Sequence, residues 1–281
     1  NYRNYADTVA CLRTLAAVTY PTIETFVVDN DSRNDSLLQI RAGLGWSSAD
    51  CPTVAEAELD RGAALPGSRF SVQAFANRGY AAGNNLGIRM ALARGCDYVL
   101  VLNNDTEVRP DFLEPLVAYA EAHPDFGAVG PKIVNAEGGV DLHCARRRPD
   151  LGFYFFSTGI GRKAWPNNPW SRRHYYKGEY AFDLPKEVDL LSGSCMLLRR
   201  AALAQVGLFD EATFLYQEEL ILHEKFRARG WRQAIVPESV VMHKGGQATL
   251  REMPAPIRKA ARESLRYYLE LYRHFGRFTC L

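Results

Sequence analysis

Asn103-Asn104-Asp105 places a carboxamide and a carboxylate two residues apart, a compact set of hard oxygen donors suited to Mg²⁺ or Mn²⁺ bound against a diphosphate. With Thr106 the same residues would also make a turn that caps a following helix. His243 precedes Lys244-Gly245-Gly246, so an imidazole stands beside flexible backbone, where a third metal ligand or a structural histidine would both fit. Glu218 and Glu219 are adjacent acids ahead of an apolar run. That suits a general base, and it equally suits first-turn acids stabilised by a helix dipole. Asp29-Asn30-Asp31-Ser32 offers hydrogen bonds to a base or ribose, or a plain turn. In the run from Asn77 to Asn85, Gly79, Gly83 and Asn85 would let backbone amides approach a ligand at a helix start. The run is not the Gly-x-x-x-x-Gly-Lys-Ser/Thr phosphate loop, which disfavours ATP hydrolysis.

Each group needs an element to hold it. Val9, Leu12, Leu15 and Ala16 recur at helical spacing over 7–18, and Tyr20-Pro21 stops that helix. A β-branched strand over 23–28 then delivers Asp29 at its carboxyl end, where open α/β sheets bind ligands. Residues 43–70 read as an irregular insertion with at most a short helix. A strand over 70–76 leads into the Gly-rich run and a helix over 86–94 closed by Gly95, and the apolar strand 97–102 delivers Asn103. This alternation predicts an α/β fold with a mainly parallel sheet flanked by helices. A helix over 110–123 and a strand over 127–134 follow. Residues 135–187, rich in Arg, Lys, Trp and Tyr, break the rhythm, which resumes with an extended stretch over 188–199 and a helix over 201–206. Past the acids, a helix runs to Arg229 and Gly230 caps it. Two short strands, 234–236 and 240–242, lead to His243, and a last amphipathic helix spans 257–275.

Of the 281 residues, 47% are apolar and 23% charged, which is ordinary for a packed globular chain. A net charge of +2 gives no support for nucleic-acid binding. No apolar run approaches the roughly 20 residues of a spanning helix. The six cysteines show no paired spacing, so reduced thiols in a cytoplasmic protein are expected.

The order of these motifs resembles family-two glycosyltransferases of the GT-A fold, particularly bacterial rhamnosyltransferase-like members. The likeness rests on Val27 to Ser32, Asn77 to Gly87, Leu102 to Thr106, Leu191 to Met196, Gly207 to Asp210, Phe214 to Glu219 and Val236 to His243, and it covers nearly the whole chain. It implies that Asp29 contacts the nucleotide base. Asp105, with Asn103 in the position of a first acid, and His243 would hold Mg²⁺ or Mn²⁺ on the diphosphate. The base would be Glu219, one methylene longer than the Asp usual there, with Glu218 as the alternative. Asn1-Tyr2-Arg3 resembles the segment just after the family's first strand, so a central strand is expected upstream, with Tyr2 against the nucleobase. Asn30, Asn77, Gly83, Asn84 and Asn104 complete the expected donor site.

The resemblance implies inverting transfer from a dTDP- or UDP-sugar to a saccharide acceptor. Arg146-Arg147-Arg148, Arg162-Lys163 and Arg172-Arg173, interleaved with Trp165, Trp170, Tyr175 and Tyr176, suit phosphates and sugar rings. A lipid-diphosphate-linked saccharide is therefore the expected partner, with Gly193 and Ser194 beside it, although a solvated charged loop would read the same. Three regions are expected: a nucleotide-sugar half over 1–134, an acceptor and catalytic half over 135–253, and a C-terminal helix over 254–281. The last could rest on an anionic membrane at the inner face of the cell, or pack its apolar side on the core. Rival readings are a sugar nucleotidyltransferase, whose usual opening loop is absent, and a non-catalytic saccharide-binding module, against which the intact acids and histidine argue.

Overall fold

A computed structural model describes residues 1–245 and 254–275. Asn4 accepts from the Asp7 amide to cap α1 (Tyr5–Leu15), which buries Val9, Cys11 and Leu12. β1 (Thr25–Asp29) leads to α2 (Ser36–Leu44), which ends at a left-handed Gly45. The stretch expected to be irregular holds β2 (Thr53–Ala55) and α3 (Leu59–Ala63) before β3 (Arg69–Gln73). Three residues are too few for a readable alternation, and β2 exists because its edge pairs with β3. β1 and β2 both run parallel to β3, giving a three-stranded sheet.

α4 spans Tyr80–Ala93, six residues earlier than its apolar spacing suggests, so Gly83 and Asn84 lie in a helix rather than a loop. Its glycines permit close packing, since a Cβ on Gly87 would sit 3.2 Å from a Val28 methyl. β4 (Tyr98–Leu102), β5 (Thr106–Val108), α5 (Leu113–Ala122) and β6 (Phe126–Val134) follow. The Arg- and aromatic-rich stretch contains β7 (Ala145–Arg146) and three short helices, α6 (Leu151–Ser157), α7 (Gly159–Ala164) and α8 (Pro169–His174). Then come β8 (Lys186–Glu187), β9 (Leu190–Leu191), β10 (Cys195–Arg199), α9 (Arg200–Val206), α10 (Glu218–Ala228) and β11 (Arg232–His243). β11 is one strand, not two. It stays beside β6 through a register shift between Val236 and Val240, where Pro237 lies.

The second sheet has the order β4-β10-β6-β11-β5, with β8 also on β11. Its β6–β11 pair is parallel and its other pairs antiparallel, so parallel pairing is concentrated in the first sheet and in this one seam. The main core lies between this sheet and its helices, around Leu116, Leu198, Phe226 and Ile235. Each such side chain contributes about 1.5–3 kcal/mol by leaving water.

α11 (Ala255–Tyr267) passes into a π-helical turn over Tyr268–Tyr272 instead of running on to Phe275. The wider turn brings the hydroxyls of Tyr267 and Tyr272, five residues apart, onto Asp210 Oδ2 at 2.9 and 2.6 Å. Its apolar side, Leu265 with Tyr268 and Leu269, packs on Leu220 and Ile221 of α10, so the end of this helix is spent on protein rather than offered to a membrane. Arg277 and Phe278 lie outside the described residues. No described helix is long and apolar enough to cross a membrane.

β1 and β4 share no pairing, and a cavity of about 790 Å³ lies between them, walled by Phe26, Val28, Val99 and Val101. At one end the Asn1 ammonium donates to Val28 O at 2.7 Å, and Asn30 N donates to Asn1 O at 2.9 Å. Those are the two bonds a residue opposite Asp29 makes in a parallel pair. Asn1 therefore enters along the free edge of β1.

Candidate active site

Beyond β4, Asn103 N donates to Ser194 O at 2.9 Å and Thr106 Oγ1 donates to Asn103 O at 2.7 Å, which closes a tight turn into β5. β5 pairs antiparallel with the end of β11, Thr106 opposite His243, and Lys244 N donates to Asp105 O at 2.9 Å. This register sets His243 Nε2 3.2 Å from Asp105 Oδ1. The two touch without the alignment of a hydrogen bond, which leaves Nε2 buried with no partner in line. The neighbouring carboxylate raises the imidazole above its ordinary value. Burial works to raise Asp105, but the contact with His243 outweighs it and holds that carboxyl low. Gly245 keeps the space in front of both open: a Cβ there would lie 2.6 Å from Asp105 Oδ2 and 2.9 Å from His243 Nε2.

An imidazole nitrogen with only that carboxylate beside it, the ionised carboxylate itself and a cradle that one methyl would fill together fit a divalent cation. Among the described residues no group of three or more His, Cys, Asp or Glu is placed to hold a metal. Substrate oxygens or water would therefore supply the remaining positions, as is common for Mg²⁺. The Asn103 side chain has no protein partner among the described residues.

The acidic pair opens α10 directly after Tyr216 and Gln217, which are both left-handed (φ 69° and 76°). Such conformations cost about 1–3 kcal/mol each outside glycine, so neighbouring contacts must hold the loop. Tyr80 N donates to Phe214 O at 2.9 Å, and Gly79 (φ 99°) approaches so closely that a Cβ would sit 2.0 Å from that oxygen. Glu218 is 4% exposed, and its Oε1 has no partner. Burial, reinforced by the charge of Glu219, pushes its carboxyl up to about 8. Glu219 is more open and accepts from Arg146 Nη2 at 2.9 Å, while the same Nη2 lies 3.3 Å from Leu191 O. The Tyr80 hydroxyl donates to Gly193 O; burial and the charges of Glu219 and Glu218 keep that phenol protonated. Loop 191–194 thus touches Asn103 on one side and the Arg146–Glu219 pair on the other.

Tyr2, Asn30, Gly83, Asn84, Asn103 and Asn104 all border the cavity between β1 and β4. Asn30 Nδ2 donates to Asn77 Oδ1 and to Gly79 O, both at 3.1 Å, and its Oδ1 is buried without a partner. Gly83 leaves room for that amide, since a Cβ would come within 3.1 Å of it. Asn104 Nδ2 donates to Thr8 Oγ1 at 2.9 Å, and Asn84 Nδ2 to Tyr80 O at 2.9 Å. Asp29 is only 3% exposed and already accepts from Asn1, Ser32 and Gln73. Burial works to raise it, but these donors prevail and hold it low, so Asp29 organises the strand end that carries Asn30. Ser194 is buried, with its Oγ 2.8 Å from Ser192 Oγ, and it meets the site through its backbone. Trp165 and Trp170 stand on the α6–α8 excursion.

Sequence reasoning assigned the Arg146-Arg147-Arg148 run to an acceptor, but all three face carboxylates of this chain. Arg146 pairs with Glu219, Arg147 with Glu179 at 2.8 Å, and Arg148 with Glu224 at 2.5 Å. Arg146 at the end of β7 and Arg148 just beyond it both reach acids of α10. Asn85, expected to let backbone amides approach a ligand, and Asp210, given no role of its own, both tie elements together. Asn85 brackets Phe209 through its N and O at 3.1 and 2.9 Å, and Asp210 receives the two C-terminal tyrosines. A buried asparagine within an apolar helix was the available signal.

Residues 1–266 match the family described as Glycosyltransferase like family 2. The chain is 34% identical over 180 residues to the N-acetylglucosaminyl-diphospho-decaprenol L-rhamnosyltransferase of Mycobacterium tuberculosis, covering 64% of this chain and 57% of the relative. It is 30% identical over 145 residues to a low-salt glycan biosynthesis hexosyltransferase of Haloferax volcanii, covering 51% and 41%. The chain thus spans about half the length of these curated relatives. In structure it resembles a mannosyltransferase from Pyrobaculum calidifontis, solved with GDP-Man and Mn²⁺, with a TM-score of 0.55, 17% identity, and coverage of 100% of this chain and 70% of that one. Staphylococcus aureus TarS gives a TM-score of 0.53 at 14% identity, covering 98% and 72%. At such identities the likeness establishes the GT-A fold alone.

Proposed function

The chain belongs to the glycosyltransferase-like family 2, and from that premise we propose that it transfers a sugar with inversion from a nucleotide diphosphate to a saccharide acceptor, with Glu219 as base. The observation that carries this reading is loop 191–194, which joins the Asp105–His243 pair, through Asn103, to the Arg146–Glu219 pair. A leaving-group site and a proton acceptor on opposite sides of one loop suit an in-line displacement.

Glu219 accepts the proton of an acceptor hydroxyl. That oxygen bonds to the anomeric carbon while the bond from carbon to diphosphate oxygen breaks, and its electron pair leaves with the nucleoside diphosphate. Asp105 and His243, with Asn103 beside them, would hold Mg²⁺ or Mn²⁺, which when bound neutralises charge on the departing diphosphate. Asn30, Gly83, Asn84 and Asn104 at the cavity mouth, with Tyr2, position the nucleotide. Glu218, buried beside Glu219 with its carboxyl raised by burial and by the charge of that neighbour, is the alternative base.

The name of the mycobacterial relative supports a rhamnosyl donor and a lipid-diphosphate-linked saccharide acceptor; the donor proposed is dTDP-rhamnose, with UDP-hexoses as the alternative. Such an acceptor places the enzyme in cell-surface polysaccharide synthesis at the cytoplasmic face of a membrane. Residues 1–134 then form the donor half and 135–253 the acceptor half. Glu219→Gln tests the assignment: turnover should fall at least about a hundredfold while donor affinity is unchanged. Near-normal turnover would take the base away from Glu219.

A further inference from the structure

The α6–α8 excursion carries a surface unlike the rest of the molecule. Residues 151–177 contain five cations and no acid, so with a net charge of +2 for the whole chain the remainder carries −3. Arg173 is paired with Asp150 at 3.0 Å. Arg162, Lys163, Arg172 and Lys177 have no carboxylate partner among the described residues. Four of the thirteen large apolar side chains exposed among the described residues, Leu151, Phe155, Phe156 and Trp165, fall within 151–165. Phe155 is 67% and Trp165 50% exposed.

Two of these rings, Phe156 and Trp165, are held in place. Phe156 stacks on Trp170 at 4.4 Å, and Trp165 meets Trp170 edge-on at 6.2 Å. Trp170 lies over Gly152, where a Cβ would come 1.9 Å from Nε1. The buried Asn168 fixes the helices to one another, accepting from Ser157 Oγ and Ser171 N and donating to Phe156 O and Trp165 O at 2.8–2.9 Å. A solvated basic loop has no use for a rigid display of aromatic edges. The end of the C-terminal helix, by contrast, has its apolar side covered by α10.

We propose that this platform is the surface by which the protein rests on an anionic lipid bilayer, its aromatic edges at headgroup depth and its unpaired cations on the lipid phosphates. The proposal rests on the reading of a lipid-linked acceptor for its purpose. Arg146 and Arg148, just ahead of α6, tie the platform to Glu219 and Glu224, so docking would bring a headgroup-borne acceptor towards the base.

The test is co-sedimentation of the full chain with vesicles of phosphatidylcholine, alone or mixed with phosphatidylglycerol. Binding to the mixed vesicles alone is expected. Arg162→Gln with Lys163→Gln should lower partition about tenfold or more, and Phe155→Ser should lower it at least severalfold, with melting temperatures unchanged. No binding to mixed vesicles, or binding that neither variant weakens, overturns the proposal. Displacement by soluble polyphosphate together with an unaffected Phe155→Ser variant also overturns it, in favour of a site for a soluble polyanion. A thermal shift with nucleoside diphosphates, run in parallel, separates the two claims: vesicle binding without any nucleotide shift would sink sugar transfer and leave the bilayer surface standing.

Discussion

Arg146 and Glu219 meet at 2.9 Å, a guanidinium on a two-residue strand closing on the second residue of a helix seventy-three positions later. The same guanidinium reaches Leu191 O, so the position of the acid is referred to the loop that also contacts Asn103. Arg146→Gln keeps a donor but loses the charge-assisted bond, worth about 1.5–3 kcal/mol. Initial rates of nucleoside diphosphate release should show kcat lower by about tenfold or more, with KM for the donor nearly constant. An unchanged kcat would reduce Arg146 to a packing role.

Glu218 makes stability depend on pH. Its folded-state carboxyl lies near 8 against an ordinary value of 4.5, so between those values the folded chain keeps a proton that the unfolded chain has released. The contribution is fully present below the lower value and lost as pH rises through the upper one. Glu218→Gln removes the buried charge, so it should melt higher than the parent at pH 9 by about 2–6 °C and differ little at pH 4. Equal melting temperatures at pH 9 would mean that Glu218 is solvated or paired in solution.

Gly245→Ala would insert a methyl 2.6 Å from Asp105 Oδ2 and 2.9 Å from His243 Nε2. The Mn²⁺ concentration needed for half-maximal nucleoside diphosphate binding should rise about tenfold or more, while the metal-free melting temperature stays put. An unaltered Mn²⁺ requirement would place the cation elsewhere.

The space between β1 and β4 has the walls of a strand position, and Asn1 already makes the bonds of its last residue. A chain lengthened by about five consecutive apolar residues ahead of Asn1 should gain a strand parallel to β1 and melt higher by about 5 °C or more. The added amides should also be protected in hydrogen exchange. Equal melting with unprotected amides would mean that the two sheets close on one another in solution.

Much of this architecture can be read from local pattern. The β1 and β4 ends, α10 and the close of β11 at His243 follow from apolar spacing and from polar residues at strand termini, since both are local properties. The Asp105–His243 pair also follows in part, because two strand ends in one sheet bring their terminal residues together. What stays hidden is set by contacts distant in sequence. The pairing of Arg146 and Arg148 with α10 turned an apparent acceptor cluster into internal ion pairs. The donors that Asn1 and Gln73 bring to the Asp29 carboxylate likewise come from positions 28 and 44 residues away. The early start of α4 was masked by Gly83, which reads as a loop residue and serves to admit Asn30.

The central claim is that a nucleotide diphosphate and a divalent cation meet at Asp105 and His243. A thermal-shift series of nucleoside diphosphates and nucleotide sugars with and without Mn²⁺ tests it most directly, since a ligand that binds only the folded state raises its melting temperature. The account predicts a shift with at least one nucleoside diphosphate that grows with Mn²⁺ and is lost in Asp105→Asn. No shift with any nucleotide, or a shift that Asp105→Asn leaves intact, would contradict it.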